Sequence, residues 1–132
     1  MHHYSEPMLR AVAFAGLVLA AAAPVPVSAL CVDDGRKPYA ERTFFGYACR
    51  DDCAPQKSGF GWAERQGIAD PAPCRALESG AAEGCRAFVQ EGLAPVEAGH
   101  AWALENEISR RCLCDGAGDG FRAGCERYVT TE

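Results

Sequence analysis

GFGWAERQGIADPAPCRALESGAAEGCRAFV, residues 59–89, returns without a gap as GHAWALENEISRRCLCDGAGDGFRAGCERYV, residues 99–129, at a constant offset of forty. In register stand Gly59 with Gly99, Trp62 with Trp102, Ala63 with Ala103, Ile68 with Ile108, Cys74 with Cys114, Gly80 with Gly120, Gly84 with Gly124, Cys85 with Cys125 and Val89 with Val129. Phe88 is matched by Tyr128. Both tryptophans of the chain are among these pairs, which argues against chance similarity, and a period of this size marks a small supersecondary unit used twice.

Each copy reads as helix, turn, helix. In the first, Ser58 is a candidate N-cap, residues 62–66 suit a helix, and Gly67 followed by Asp70 and Pro71 ends it. A second helix is expected from near Ser79, carrying Ala81, Cys85, Phe88 and Val89 on one apolar face; its counterpart carries Phe121, Cys125, Tyr128 and Val129, with Asp119 as candidate cap. Gly84 and Gly124 fall inside these second helices, where glycine costs about 1 kcal/mol relative to alanine. Their recurrence points to a packing cause, with close approach of the Trp62 or Trp102 ring as the expected one. The fold class that follows is mainly α: two helical-hairpin repeats packed as a small disulfide-stapled helical domain. Two copies are few for a solenoid, which favours a compact four-helix arrangement.

The start of the chain reads as an address. Arg10 precedes the apolar run AVAFAGLVLAAAA, residues 11–23, then come Pro24, Pro26 and the small-residue cleavage pattern VSA at 27–29. Residues 1–29 are therefore expected to be a cleaved signal peptide, with Met8 an alternative start to Met1. The run is 13 residues long, short of the roughly 20 that span a bilayer. A lipid anchor on Cys31 would want a small residue before the cysteine, and Leu30 is not one. The rest, 30–132, is one domain by size, divided into an N-terminal segment 30–57, repeat one at 58–89 and repeat two at 98–129. The chain has 13 Lys/Arg against 18 Asp/Glu, net −5, and losing Arg10 and Glu6 leaves that balance unchanged. A mildly acidic domain without long charge runs argues against nucleic acid or an anionic membrane as partner.

All eight cysteines (Cys31, Cys49, Cys53, Cys74, Cys85, Cys112, Cys114 and Cys125) lie beyond the cleavage pattern, and in an exported chain an even number reads as a disulfide framework. Both copies contain Cys-x10-Cys, so the simplest scheme closes Cys74 to Cys85 and Cys114 to Cys125, each such short loop contributing about 3 kcal/mol by chain entropy. The remaining four could close as Cys49 to Cys53 with Cys31 to Cys112. In the alternative, Cys49 and Cys53 each reach one of Cys74 and Cys85.

The stretch FGYACRDDC at 45–53, with Gly59, Trp62, Ala63, Ile68, Cys74 and GCRAFV at 84–89, resembles a group of small exported bacterial proteins of unknown function. That group often has a histidine shortly after the Cys-x3-Cys; here Gln56 and Lys57 stand there, so no histidine role carries over. A looser similarity is to cysteine-rich Sel1-like and tetratricopeptide-like helical repeats, and that resemblance implies binding of protein partners.

Chemistry is sparse. The one histidine beyond the signal segment, His100, aligns with Phe60, a packing position, and no acid or base partner is indicated for it. In CRDDC at 49–53, Asp51 and Asp52 oppose the thiol pKa depression that redox chemistry needs. A thiolate metal site at Cys49, Cys53 or Cys112 would want more histidine or methionine nearby. The string DGAGDGFRAGCE, residues 115–126, places Asp115, Asp119 and Glu126 at positions 1, 5 and 12 of a calcium loop, yet Ala117 and Arg122 spoil positions 3 and 8. The expectation is therefore no cofactor and no catalytic set. What remains is an exported, periplasmic or secreted binding module, inhibitor-like in form, whose partner is another envelope or secreted protein. The rival is a calcium, thiolate-metal or thiol-redox protein of the envelope. Phe44, Phe45, Tyr47 and Phe60 are the candidate contact aromatics, with core packing their favoured use in so small a domain. Thiol titration of the denatured, unreduced protein is expected to find no free thiol; two or more persistent thiols would refute the four-bridge framework.

Overall fold

The computed structural model describes residue 16 and residues 31–131. The signal peptide expected over 1–29 lies outside the described residues, Gly16 excepted. Four helices carry the fold: α1 (Ala54–Gln66), α2 (Ser79–Glu91), α3 (Pro95–Glu105) and α4 (Asp119–Thr131). A two-stranded antiparallel hairpin, β1 (Thr43–Phe44) and β2 (Tyr47–Ala48), precedes them, pairing Thr43 with Ala48 and Phe44 with Tyr47. Short 3₁₀ turns at Ala72–Ala76 and Arg111–Cys114 lead into the second helix of each copy. The protein is thus two helical hairpins, α1/α2 and α3/α4, stapled by disulfides.

The first helix of each copy begins earlier than Ser58 suggests. Ala54-Pro55 and Ala94-Pro95 are also in register, and proline in the opening turn suits a helix start because its missing N–H has no partner to lose there. Ser58 is an exposed residue inside α1 rather than its cap. The Ala54 N–H is instead taken by Asp51 and Asp52, whose carboxylates accept it at 3.3 and 3.1 Å. That explains the paired aspartates of CRDDC as a helix cap. Gly67 closes α1 in the left-handed conformation (φ 63°); its counterpart Glu107 holds φ 52° at the same point of copy two.

The recurring helix glycines admit backbone, not a tryptophan ring. A Cβ on Gly84 would collide with the carbonyl oxygen of Gln56, and one on Gly59 with that of Ala81. Forty residues on, Gly124 meets the Val96 carbonyl and Gly99 that of Phe121. Within each hairpin the two helix backbones therefore touch at two reciprocal points.

Four bridges lock this arrangement: Cys74–Cys85 and Cys114–Cys125 within the copies, Cys49–Cys53 beside α1, and Cys31–Cys112 across a separation of 81 residues. No described cysteine is free. The core lies where the two hairpins and β1 meet. Phe44, Phe60, Trp102 and Phe121 are buried there, with ring centroids 5.4 to 6.4 Å apart, while Phe45 and Tyr47 are half-buried around them. Trp102 is interior but Trp62 is half-exposed, so the two copies occupy unequal places.

Gly84→Ala and Gly124→Ala separate helix propensity from packing. Propensity alone would make each variant about 1 kcal/mol more stable. The carbonyl contacts instead predict a loss of about 3 kcal/mol in urea unfolding, since neither helix can move away without opening its hairpin. Equal or greater stability in either variant would refute the backbone contact.

Candidate functional site

The candidate calcium residues fall on two different kinds of structure. Asp119 opens α4 and Asp115 lies in the preceding turn, with the Arg122 guanidinium between them, 3.0 Å from Asp119 Oδ1 and 3.9 Å from Asp115 Oδ1. Arg122 therefore supplies the positive charge at this point itself. Glu126 is held within α4, one turn beyond Arg122, whereas a calcium loop needs irregular chain between positions 5 and 9. Among the described residues no group of three or more His, Cys, Asp and Glu side chains could hold a metal ion. Cys49 and Cys53 form a buried bridge, and Cys112 is tied to Cys31. His100 is half-buried and meets Tyr128 edge-on, centroids 5.8 Å apart.

Four polar residues are buried, Arg42, Gln56, Lys57 and Asn106, and none of them is marked as buried by the sequence. Lys57 is 2% exposed; its ammonium donates to the Leu113 carbonyl at 2.9 Å, lies 5.0 Å from the Trp102 ring centroid and is 3.9 Å from Asp52. Burial lowers its pKa from the ordinary 10.5, and the nearby carboxylates, Asp52 first, pull it back up. Asn106 bonds the backbone of Thr43 in both directions, accepting its N–H at 3.0 Å and donating to its carbonyl at 2.9 Å, so β1 is clamped to α3. Arg42 is buried against Asp33 at 2.6 Å with its guanidinium 4.8 Å from the Tyr39 ring centroid. Their counterparts in the other copy, Glu97 for Lys57 and Gln66 for Asn106, are exposed. For Lys57 and Asn106 the sequence shows only that the register partners differ in type, and Arg42 lies outside the repeat.

An open groove of about 860 Å³ lies between the end of the β-hairpin, the first turns of α1 and the first turn of α2. Tyr47, Arg50, Gln56, Ser58, Glu78 and Ala81 are among its walls. Its supports are stiff. Cys49–Cys53 fixes the hairpin side, Cys74–Cys85 ties α2 to its turn, and Tyr47 is held by Gln90 at 3.1 Å with Arg86 stacked 5.5 Å from its ring centroid. No side chain caps α2, and the buried Gln56 has no hydrogen-bond partner for its Oε1. Ser58 and Ser79 are among its walls together with Asp51, Glu78 and Glu83. Shape and polarity suit binding. No protein-family model, curated protein or solved structure matches the chain.

The buried Lys57 has a readable pH signature. Because its folded pKa lies below 10.5, the unfolded chain binds more protons as pH climbs toward that value, and stability must rise with pH there. Wild type is expected to gain stability relative to Lys57→Met between neutral pH and pH 10.5 in paired urea melts. A pH-independent difference between the two would refute the charged, desolvated lysine.

Proposed function

We propose that this chain is an exported, disulfide-rigidified interaction module, periplasmic or secreted, which binds another envelope or secreted protein through the groove beside α2. Four disulfides are compatible with an oxidising, extracytoplasmic setting, and no helix among the described residues is long and apolar enough to cross a membrane. The observation that carries the reading is the groove itself, a concavity walled by elements that separate bridges hold in place. Such pre-organisation lowers the ordering cost of association, which suits a binder and in particular an inhibitor-like one. A metal or redox role draws no support from thiols closed in bridges or from Arg122 standing between Asp115 and Asp119.

A photo-reactive phenylalanine analogue tests this at Ser58, exposed on the groove wall, with Arg75, exposed in the turn before α2, as control. Irradiation in the native host is expected to give discrete adducts from position 58 and none from 75. No adduct at 58, or equal adducts from both, would overturn the groove as a binding site.

A further inference from the structure

The two edges of the β-hairpin are finished differently. Cys49 donates its N–H to the Arg42 carbonyl at 2.9 Å, and Thr43 pairs with Ala48 one step along the ladder. Antiparallel pairs alternate in their bonding, so the N–H and C=O of Thr43 and of Ala48 point away from the partner strand. On the β1 side the Asn106 amide meets them, accepting the Thr43 N–H at 3.0 Å and donating to its carbonyl at 2.9 Å. On the β2 side the N–H and C=O of Ala48 bond to no other described residue, and Ala48 is an exposed wall of the groove. One edge is thus closed by a side chain that imitates a peptide group, while the other stands open beside a recess.

Two further sets of groups in that recess lack partners. Gln56 is 6% exposed and its Oε1 accepts no hydrogen bond. Its amide stands beside α2, where a Cβ on Gly80 would lie 3.6 Å from Nε2. The first bond within α2 runs from the Ala82 N–H to the Glu78 carbonyl, so the N–H groups of Ser79, Gly80 and Ala81 have no helical partner, and no side chain caps them. An occupant must therefore donate to Gln56, accept from α2, and do both at Ala48. A simple anion cannot donate to Gln56, and Asp51, Glu78 and Glu83 against Arg50 leave the walls with an excess of negative charge. An extended main chain offers donors and acceptors in alternation along one line. We propose that the occupant is an extended segment of the partner protein, bearing basic side chains, whose main chain pairs with Ala48 as a third strand and reaches the Gln56 amide and the first turn of α2. This rests on the groove reading above and names what the partner presents. Main-chain pairing supplies the affinity, and the carboxylates on the walls select lysine or arginine.

A display library of random linear dodecapeptides, selected on the disulfide-bonded chain, tests this. Ala48→Pro deletes the outward N–H, which makes no bond within the molecule, and proline is tolerated on an edge strand whose N–H faces outward. Gln56→Met deletes the orphan acceptor, so its melting temperature should not fall, as it would if the amide served the fold alone. Selection on wild type is expected to enrich peptides rich in lysine or arginine. Each variant should bind them about tenfold more weakly, the effect of one lost hydrogen bond. Should Ala48→Pro fail to fold, Gln56→Met decides alone. Peptides that bind either folded variant as tightly as wild type, a predominantly acidic selection, or no enrichment at all would each overturn the proposal. The Ser58 photo-adducts separate this from failure of the groove itself. Host adducts at Ser58 without a selectable peptide leave the groove a binding site and remove the extended segment. Neither adduct nor peptide removes both.

Discussion

Two helix backbones in direct contact, twice over, are the constraint on which this protein depends. Gly59 and Gly84 in one hairpin, and Gly99 and Gly124 in the other, stand where any side chain would strike a carbonyl of the opposite helix. Glycine lowers the intrinsic stability of each helix by about 1 kcal/mol per position relative to alanine. Close backbone approach offsets this with dense dispersion contact, and it sets the spacing that lets Pro55 reach over Gly80 and Pro95 over Gly120. Because the contact is reciprocal, neither helix of a pair can shift along the other without losing it.

A domain of about a hundred residues has a limited core, and helices this glycine-rich are weak by themselves. The bridges act where that weakness lies. Cys74–Cys85 and Cys114–Cys125 fix each turn to the helix that follows it, close to the glycine contacts, while Cys31–Cys112 returns the N-terminal segment to the second hairpin. Asn106 then completes what the short β1 strand cannot do for itself, supplying both a donor and an acceptor to Thr43. Phe44 enters the core on that strand and meets Phe60, Trp102 and Phe121. The aromatic centre is therefore held from three sides, and Phe44 and Phe60 serve packing rather than a binding surface.

Scaffold positions were legible in the sequence because their residue types tolerate few environments. The forty-residue register, the second helices and the end of α1 at Gly67 could be read from glycine, proline, cysteine and apolar spacing alone. The reason for Gly84 could not, since periodicity says that something approaches but not whether it is a ring or a backbone. The start of α1 was misplaced at Ser58 because a serine cap is a stronger local signal than the Ala-Pro pair that opens both copies. Lys57, Arg42 and Asn106 were invisible for a different reason: their types are mostly found at the surface, and only the assembled fold supplies the Leu113 carbonyl, Asp33 and the Thr43 backbone that make burial tolerable. The groove is assembled from three separated stretches of chain and has no local signature at all.

The differences between the copies now have a physical order. Lys57 against Glu97, Phe60 against His100, Gly61 against Ala101 and Ala81 against Phe121 all lie on the faces by which one hairpin meets the next. Pairs buried inside a hairpin, such as Ala63 with Ala103 and Cys85 with Cys125, remain identical. A residue that supports its own hairpin is bound by the glycine contact and the staple, which are the same in both copies. A residue on a meeting face answers only to what stands opposite, which is the core on one side and solvent or a partner on the other. The two copies therefore diverge at their meeting faces because only one such pair of faces is packed together inside the molecule.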